Sequence, residues 1–253
     1  MNTLRIRKIL VSQPEPSPGN SPYNDLAVKH NLKIDFRQFI QVEGVPAKDF
    51  RKDRIQILEH SAVIFTSRTA IDHFFRIAQE SRLTIPDTMK YFCISESVAF
   101  YLQKYIVYRK RKIFYANGKF ADLVDVLMKH KDDKFLIPLS DVHKEEIPIL
   151  LEKSKLEVTE AIMYRTVSSN LSDLKDVNYD MLVFFSPSGI KSLRENFPDF
   201  IQNETKIATF GPVTAQAVRD AGLRLDVEAP IPEAPSMPAA LERFISEFNK
   251  NNK

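Results

Sequence analysis

VFFSPSGIKSLRENF (residues 183–197) and VIFTSRTAIDHFF (residues 63–75) follow one pattern. In each, an apolar run rich in valine, isoleucine and phenylalanine stops at small hydroxylated residues, and apolar residues at helical spacing follow. Superposing Ser67 on Ser186 sets Thr69 on Ser188, Ala70 on Gly189 and Ile71 on Ile190. A second pair, FCISESVAFYL (92–102) and ATFGPVTAQAV (208–218), superposes with Ala99 on Ala215, Ser95 on Gly211 and Val98 on Thr214. The two pairs lie at nearly the same interval along the chain. They mark a duplicated unit, and the interval is too long for a solenoid. The sequence therefore predicts two similar domains.

The apolar runs Val63–Phe65 and Met181–Phe185 do not alternate, as befits strands of a parallel sheet buried on both faces. Further strands are predicted at Lys8–Ser12, Phe36–Val42, Phe92–Ile94, Lys112–Tyr115, Phe135–Pro138, Val158–Tyr164, Lys206–Thr209 and Leu223–Val227. Helices are predicted at Asp25–His30, Thr69–Glu80, Ser97–Tyr105, Phe120–His130, Glu145–Lys153, Ser188–Glu195, Val213–Ala221 and Pro238–Asn249. Strand and helix alternating at short spacing give an α/β fold of two doubly wound parallel sheets. The first strand has no partner within the first repeat. Residues 1–38 with 168–253 are therefore expected to form one discontinuous domain that holds both termini. Residues 45–159 would form an inserted one. The crossing segments, 39–44 and 160–167, would pair as a two-stranded β hinge.

Composition narrows the function. The chain has 253 residues, and 36 lysines and arginines stand against 33 acidic residues, a net charge of only +3. That balance argues against nucleic acid as a partner. No apolar stretch approaches the roughly 20 residues of a membrane span, and the segment after the basic Met1–Lys8 is too short for a secretion signal. A cytoplasmic protein is expected, with no membrane partner. Cys93 is the single cysteine, so no internal disulfide can form. The five histidines are scattered without metal-ligand spacing, so no metal site is expected. The basic run Tyr108–Lys112 reads as a solvated turn before a strand.

The junction residues have a structural role first. Serine and threonine cap helix N-termini, and proline suits the first turn. Thr66-Ser67, Ser95-Glu96-Ser97, Ser186-Pro187-Ser188 and Gly211-Pro212 all read this way. In open α/β sheets the same junctions line the crevice where ligands bind, and free amides there favour anions. Four helix starts facing one cleft would receive a small molecule bearing carboxylates or phosphates.

The motifs VFFSPSGI, IATFGPVTAQAVRDAGL, the proline-rich VEAPIPEAPSMPAAL and VIFTSRTAI, with Met163-Tyr164-Arg165-Thr166, resemble the uroporphyrinogen-III synthase family over nearly the whole chain. The resemblance implies cyclisation of the linear tetrapyrrole hydroxymethylbilane with inversion of its last ring, without a cofactor, in porphyrin and haem biosynthesis. Tyr164 matches the family's tyrosine on the second crossing strand and is the candidate acid. Substrate contacts are implied for Ser67, Ser186, Ser188 and Thr214, and more weakly for Thr66 and Ser97. The amides of Gly189 and Val213 are expected to contribute. Gln13 stands where the family commonly has arginine, and Ser95 and Val98 where it has glycine and threonine. The alternative is a two-lobed protein that captures an anionic small molecule without transforming it. A monomer is expected in either case.

Overall fold

The computed structural model describes residues 5–17, 19, 21–143, 146–175 and 177–251. In chain order the elements are β1 (Lys8–Val11), α1 (Pro22–His30), β2 (Lys33–Phe36), β3 (Ile40–Gly44), α2 (Ala47–Phe50), β4 (Ala62–Phe65), α3 (Arg68–Glu80), β5 (Lys90–Cys93), α4 (Glu96–Tyr101) and β6 (Ile113–Tyr115). They continue with α5 (Phe120–Leu127), β7 (Phe135–Ser140), α6 (Glu146–Ser154), β8 (Val158–Ser168), β9 (Met181–Phe184), α7 (Pro187–Asn196), β10 (Lys206–Phe210), α8 (Pro212–Asp220), β11 (Val227–Ala229) and α9 (Met237–Asn251).

The chain divides into two compact units: Met1–Gln41 with Val167–Lys253, and Val42–Thr166. The first holds a five-stranded sheet in the order β11-β10-β9-β1-β2, parallel at every pair. The second holds a sheet in the order β3-β8-β7-β4-β5-β6, parallel from β8 through β6. The fold is thus α/β with two doubly wound sheets. In each sheet the order reverses at one pair of strands, at β1/β9 and at β4/β7. Those are the topological switch points, where crevices form outside the strand ends.

Each central strand feeds two cores. In β9, Met181 and Val183 join the layer of α1 and α9, while Leu182 and Phe184 join the layer of α7 and α8. In β4, Val63 and Phe65 pack under α3 and α4, while Ala62 and Ile64 pack under α5 and α6. All eight side chains are buried. Burial on both faces is why these runs are apolar without alternation.

Four expected elements are corrected. Phe36–Val42 is not one strand: β2 ends at Phe36, β3 begins at Ile40, and Phe39 between them turns inward. Phe39 meets Phe184 edge-on at 5.5 Å, and its carbonyl accepts bonds from the Ser192 hydroxyl and the Ser169 amide. The last strand is Val227–Ala229 rather than Leu223–Val227, because Leu223 follows the left-handed Gly222 and packs beside α7 and α8. The helices expected to reach Tyr105 and His130 tighten into 3₁₀ turns at Leu102–Lys104 and Met128–His130. Glu145 lies outside the described residues.

Candidate active site

At the end of β4 the chain enters α3 through Ser67, an extended N-cap whose hydroxyl accepts the Ala70 amide at 3.0 Å. The same hydroxyl lies near enough to the phenol of Tyr164 to act on its titration. Tyr164 is buried at 8 % exposure, on the C-terminal part of β8. Burial pushes its phenol above the ordinary value, and the Ser67 hydroxyl pulls it back down. The phenol therefore carries its proton at neutral pH. The His73 imidazole stacks on the Tyr164 ring at 5.0 Å and 16°. Burial and the neighbouring Arg76 cation push His73 below its usual value, so it stays neutral.

The next strand end differs. Ser95 occupies the N-cap of α4 but makes no capping bond; its hydroxyl meets that of Ser97 at 3.1 Å. Ser97 is exposed and Thr66 half-buried, both along the edge that holds Ser67. At the switch point, Ser140 closes β7. Asp141 then accepts the amides of Val142 and Thr166 at 2.9 Å each, and its own amide bonds the Tyr164 carbonyl at 3.2 Å. The backbone from the Tyr164 carbonyl to the Thr166 amide is thereby pinned.

In the other unit, Ser186 caps α7 and accepts the Gly189 amide at 3.3 Å. That amide is occupied, so of the two expected amide donors only Val213 is open. A Cβ on Gly189 would stand 3.2 Å from the Phe184 ring and 3.8 Å from the hydroxyls of both Ser12 and Ser186. Ser12, next after β1, and Ser186, two residues after β9, thus each place a hydroxyl beside the same glycine. Gly211 opens α8 at φ +92° and offers no side-chain cap. The Val213 and Thr214 amides consequently have no partner among the described residues. Val213 is exposed, Thr214 is buried and Ser188 is half-buried.

The structure brings Ser67 to Tyr164, and Ser186 and Gly189 to Ser12. Among the described residues no hydrogen bond links Thr66 or Ser97 to Ser67 or Tyr164, and Ser97 bonds Ser95 instead. Sequence reasoning passed over His73, Arg76 and Asp141. Single polar residues carry no spacing signal, and their roles arise only when α3, β7 and β8 are adjacent. Gln13 is exposed beside Ser12. Arg109 pairs with Asp87 at 3.0 Å, and Lys112 bonds the Asp87 carbonyl, which ties the basic run to the loop before β5. Cavities of about 640 Å³ in the first unit and about 540 Å³ in the second contain none of the expected site residues. The Cys93 thiol is buried and pushed up to about 12, too high for a nucleophile. Among the described residues there is no cluster of three metal-ligating side chains, and no helix is long and apolar enough to cross a membrane.

A family model described as uroporphyrinogen-III synthase HemD matches residues 29–239. The chain belongs to the uroporphyrinogen-III synthase family. The activity of that family, synthesis of uroporphyrinogen III in tetrapyrrole biosynthesis, is the function of this chain. Among solved structures, the fold is similar to a uroporphyrinogen-III synthetase from Helicobacter pylori, at 17% identity over 96% of this chain and 100% of that one, with a TM-score of 0.58. It is also similar to a mutant uroporphyrinogen III synthase from the extremely thermophilic bacterium Thermus thermophilus, at 15% identity over 95% and 99%, with a TM-score of 0.50. At such identity the likeness is one of fold. No curated protein sequence matches the chain.

Proposed function

We propose that the chain works as a cyclising lyase on hydroxymethylbilane, with Tyr164 as the acid that releases the terminal hydroxyl as water. The observation that carries this reading is the buried phenol of Tyr164 at a strand-end edge, stacked on the His73 imidazole and close to the Ser67 hydroxyl. Proton transfer from the phenol to the departing hydroxyl releases water and leaves an azafulvenium cation beside the phenolate. The Ser67 hydroxyl stabilises the phenolate that forms. Attack by the substituted carbon of the last ring gives a spiro intermediate. Ring opening and reclosure invert that ring, and the proton lost at the end restores the phenol. The unaided reaction closes to isomer I, so the enzyme's task is geometric: to hold the chain folded for attack at the other carbon.

The substrate carries carboxylate arms on every ring. Hydroxyls of Thr66, Ser67, Ser97, Ser186, Ser188 and Thr214 and the open amide of Val213 suit such groups. Gly189 contributes by its missing side chain rather than by its amide. The units are proposed to act as two domains bounded near 39–44 and 160–167, in a cytoplasmic monomer that takes this small molecule as its partner.

Hydroxymethylbilane generated in place by its own synthase, with isomers I and III separated afterwards, tests the reading. Isomer III above the blank is expected. Isomer I alone would contradict it.

A further inference from the structure

In β8, Ala161 and Met163 face the α3 layer, and strict alternation would turn residue 164 to the opposite face. Tyr164 nevertheless packs in the same cluster as Ala161 and Met163. The reason lies in the ladder with β7. Leu139 stands opposite Ile162 and Ser140 opposite Tyr164, so Met163 is an extra residue, a bulge. A bulge re-aims the side chain that follows it, and the bulged backbone loses its ladder partner. Here the Met163 carbonyl accepts instead from the Val45 amide at 3.0 Å and from Arg76 Nη2 at 3.2 Å.

Arg76 is bonded on three sides. Nη2 also donates to the Val45 carbonyl at 2.8 Å, Nη1 to Glu80 Oε1 at 2.7 Å, and Nε to His73 Nδ1 at 3.1 Å. The last bond fixes the His73 tautomer: Nδ1 accepts, so the proton sits on Nε2. The same imidazole lies flat against the Tyr164 ring. Gly44 completes the bracket, since a Cβ there would come within 2.7 Å of three guanidinium atoms. Only a residue without a side chain lets the guanidinium lie over this backbone.

We infer that Arg76 and His73 are positioning residues for Tyr164: the guanidinium holds the Met163 bulge open, and the imidazole it orients seats the phenol ring. The inference rests on the reading of Tyr164 as the acid, and it is tested so that the two can fail separately. Arg76→Ala removes the bracket, and Gly44→Ala keeps the arginine but displaces it. Each is expected to lower kcat by about 10-fold or more, with KM within about 2-fold, as misplacement of a reacting group does. Arg76→Lys is expected not to rescue, because one ammonium cannot bond His73 and both carbonyls together. His73→Phe, which keeps a flat ring, should retain more activity than His73→Ala. In a Tyr164→Phe background Arg76→Ala should cost nothing further. The ¹³Cζ resonance of Tyr164 and the ¹⁵N resonances of His73, recorded on folded protein, supply a readout apart from activity. They should move in Arg76→Ala and in Gly44→Ala. Unmoved resonances, or an equal loss of kcat in the Tyr164→Phe background, would overturn the inference. Should Tyr164→Phe alone keep the full rate, the acid reading falls, and the resonances decide the placement by themselves.

Discussion

The β4–α3 and β9–α7 junctions are two copies of one device put to different use. Both end a fully buried strand in a phenylalanine, Phe65 and Phe184, each meeting a second phenylalanine edge-on at 5.5 Å. Both cap the next helix with a serine that accepts the amide three residues on. Beyond the cap they part. Ser67 also lies close to the phenol of Tyr164, whereas Ser186 shares its surroundings with Ser12 around Gly189. The second junctions diverge further: Ser95 is extended at φ −151°, while Gly211 sits at φ +92° and leaves its helix uncapped. Packing was kept in both copies, and the polar groups at the strand ends were free to specialise.

That division can be broken at its strongest point first. Phe65→Ala and Phe184→Ala should each cost about 3–5 kcal/mol, since each empties an equivalent site in a close-packed core. Thermal or denaturant unfolding measures both, and a loss below about 1 kcal/mol at either would end the equivalence. The unequal second junctions come next. Gly211→Ala forces a side chain into the left-handed region and should cost about 1–2 kcal/mol. Ser95→Gly, already in an extended conformation with no capping bond, should change stability by less than about 1 kcal/mol. Equal losses would remove the distinction. The smallest effect sharpens the comparison most. Ser67→Ala and Ser186→Ala should each cost about 1 kcal/mol as lost N-caps. Only Ser67→Ala should also raise the Tyr164 phenol pKa, by deleting the hydroxyl that lowers it. A phenol titration followed by ¹³C resonance separates the two, and a rise in Ser186→Ala would contradict the assignment.

Much of the fold is legible in the residues because burial on both faces writes itself as unbroken apolar runs. The repeat is legible because the cap, the hydroxylated residue two places on, the small residue after it and the following isoleucine recur in order. The helix starts at Ser67 and Ser186 follow from capping chemistry alone. What escaped the sequence arises where segments distant in the chain meet. Phe36–Val42 reads as one strand because nothing in its pattern reveals that Phe39 leaves the edge to cover Phe184. The Met163 bulge is invisible because its apolar neighbours suit either register. Arg76, His73 and Asp141 look like ordinary surface residues of a helix and a loop until β8 lies beside them. Tyr164 was found through family resemblance, since its burial and its Ser67 partner depend on a contact across about 100 residues of chain.

The account turns on the phenol of Tyr164, and Tyr164→Phe tests it most directly. In single-turnover assays with hydroxymethylbilane, the variant should form isomer III about 100-fold more slowly, at the low end for loss of a general acid, while substrate affinity changes little. A variant that makes isomer III at the full rate would contradict it.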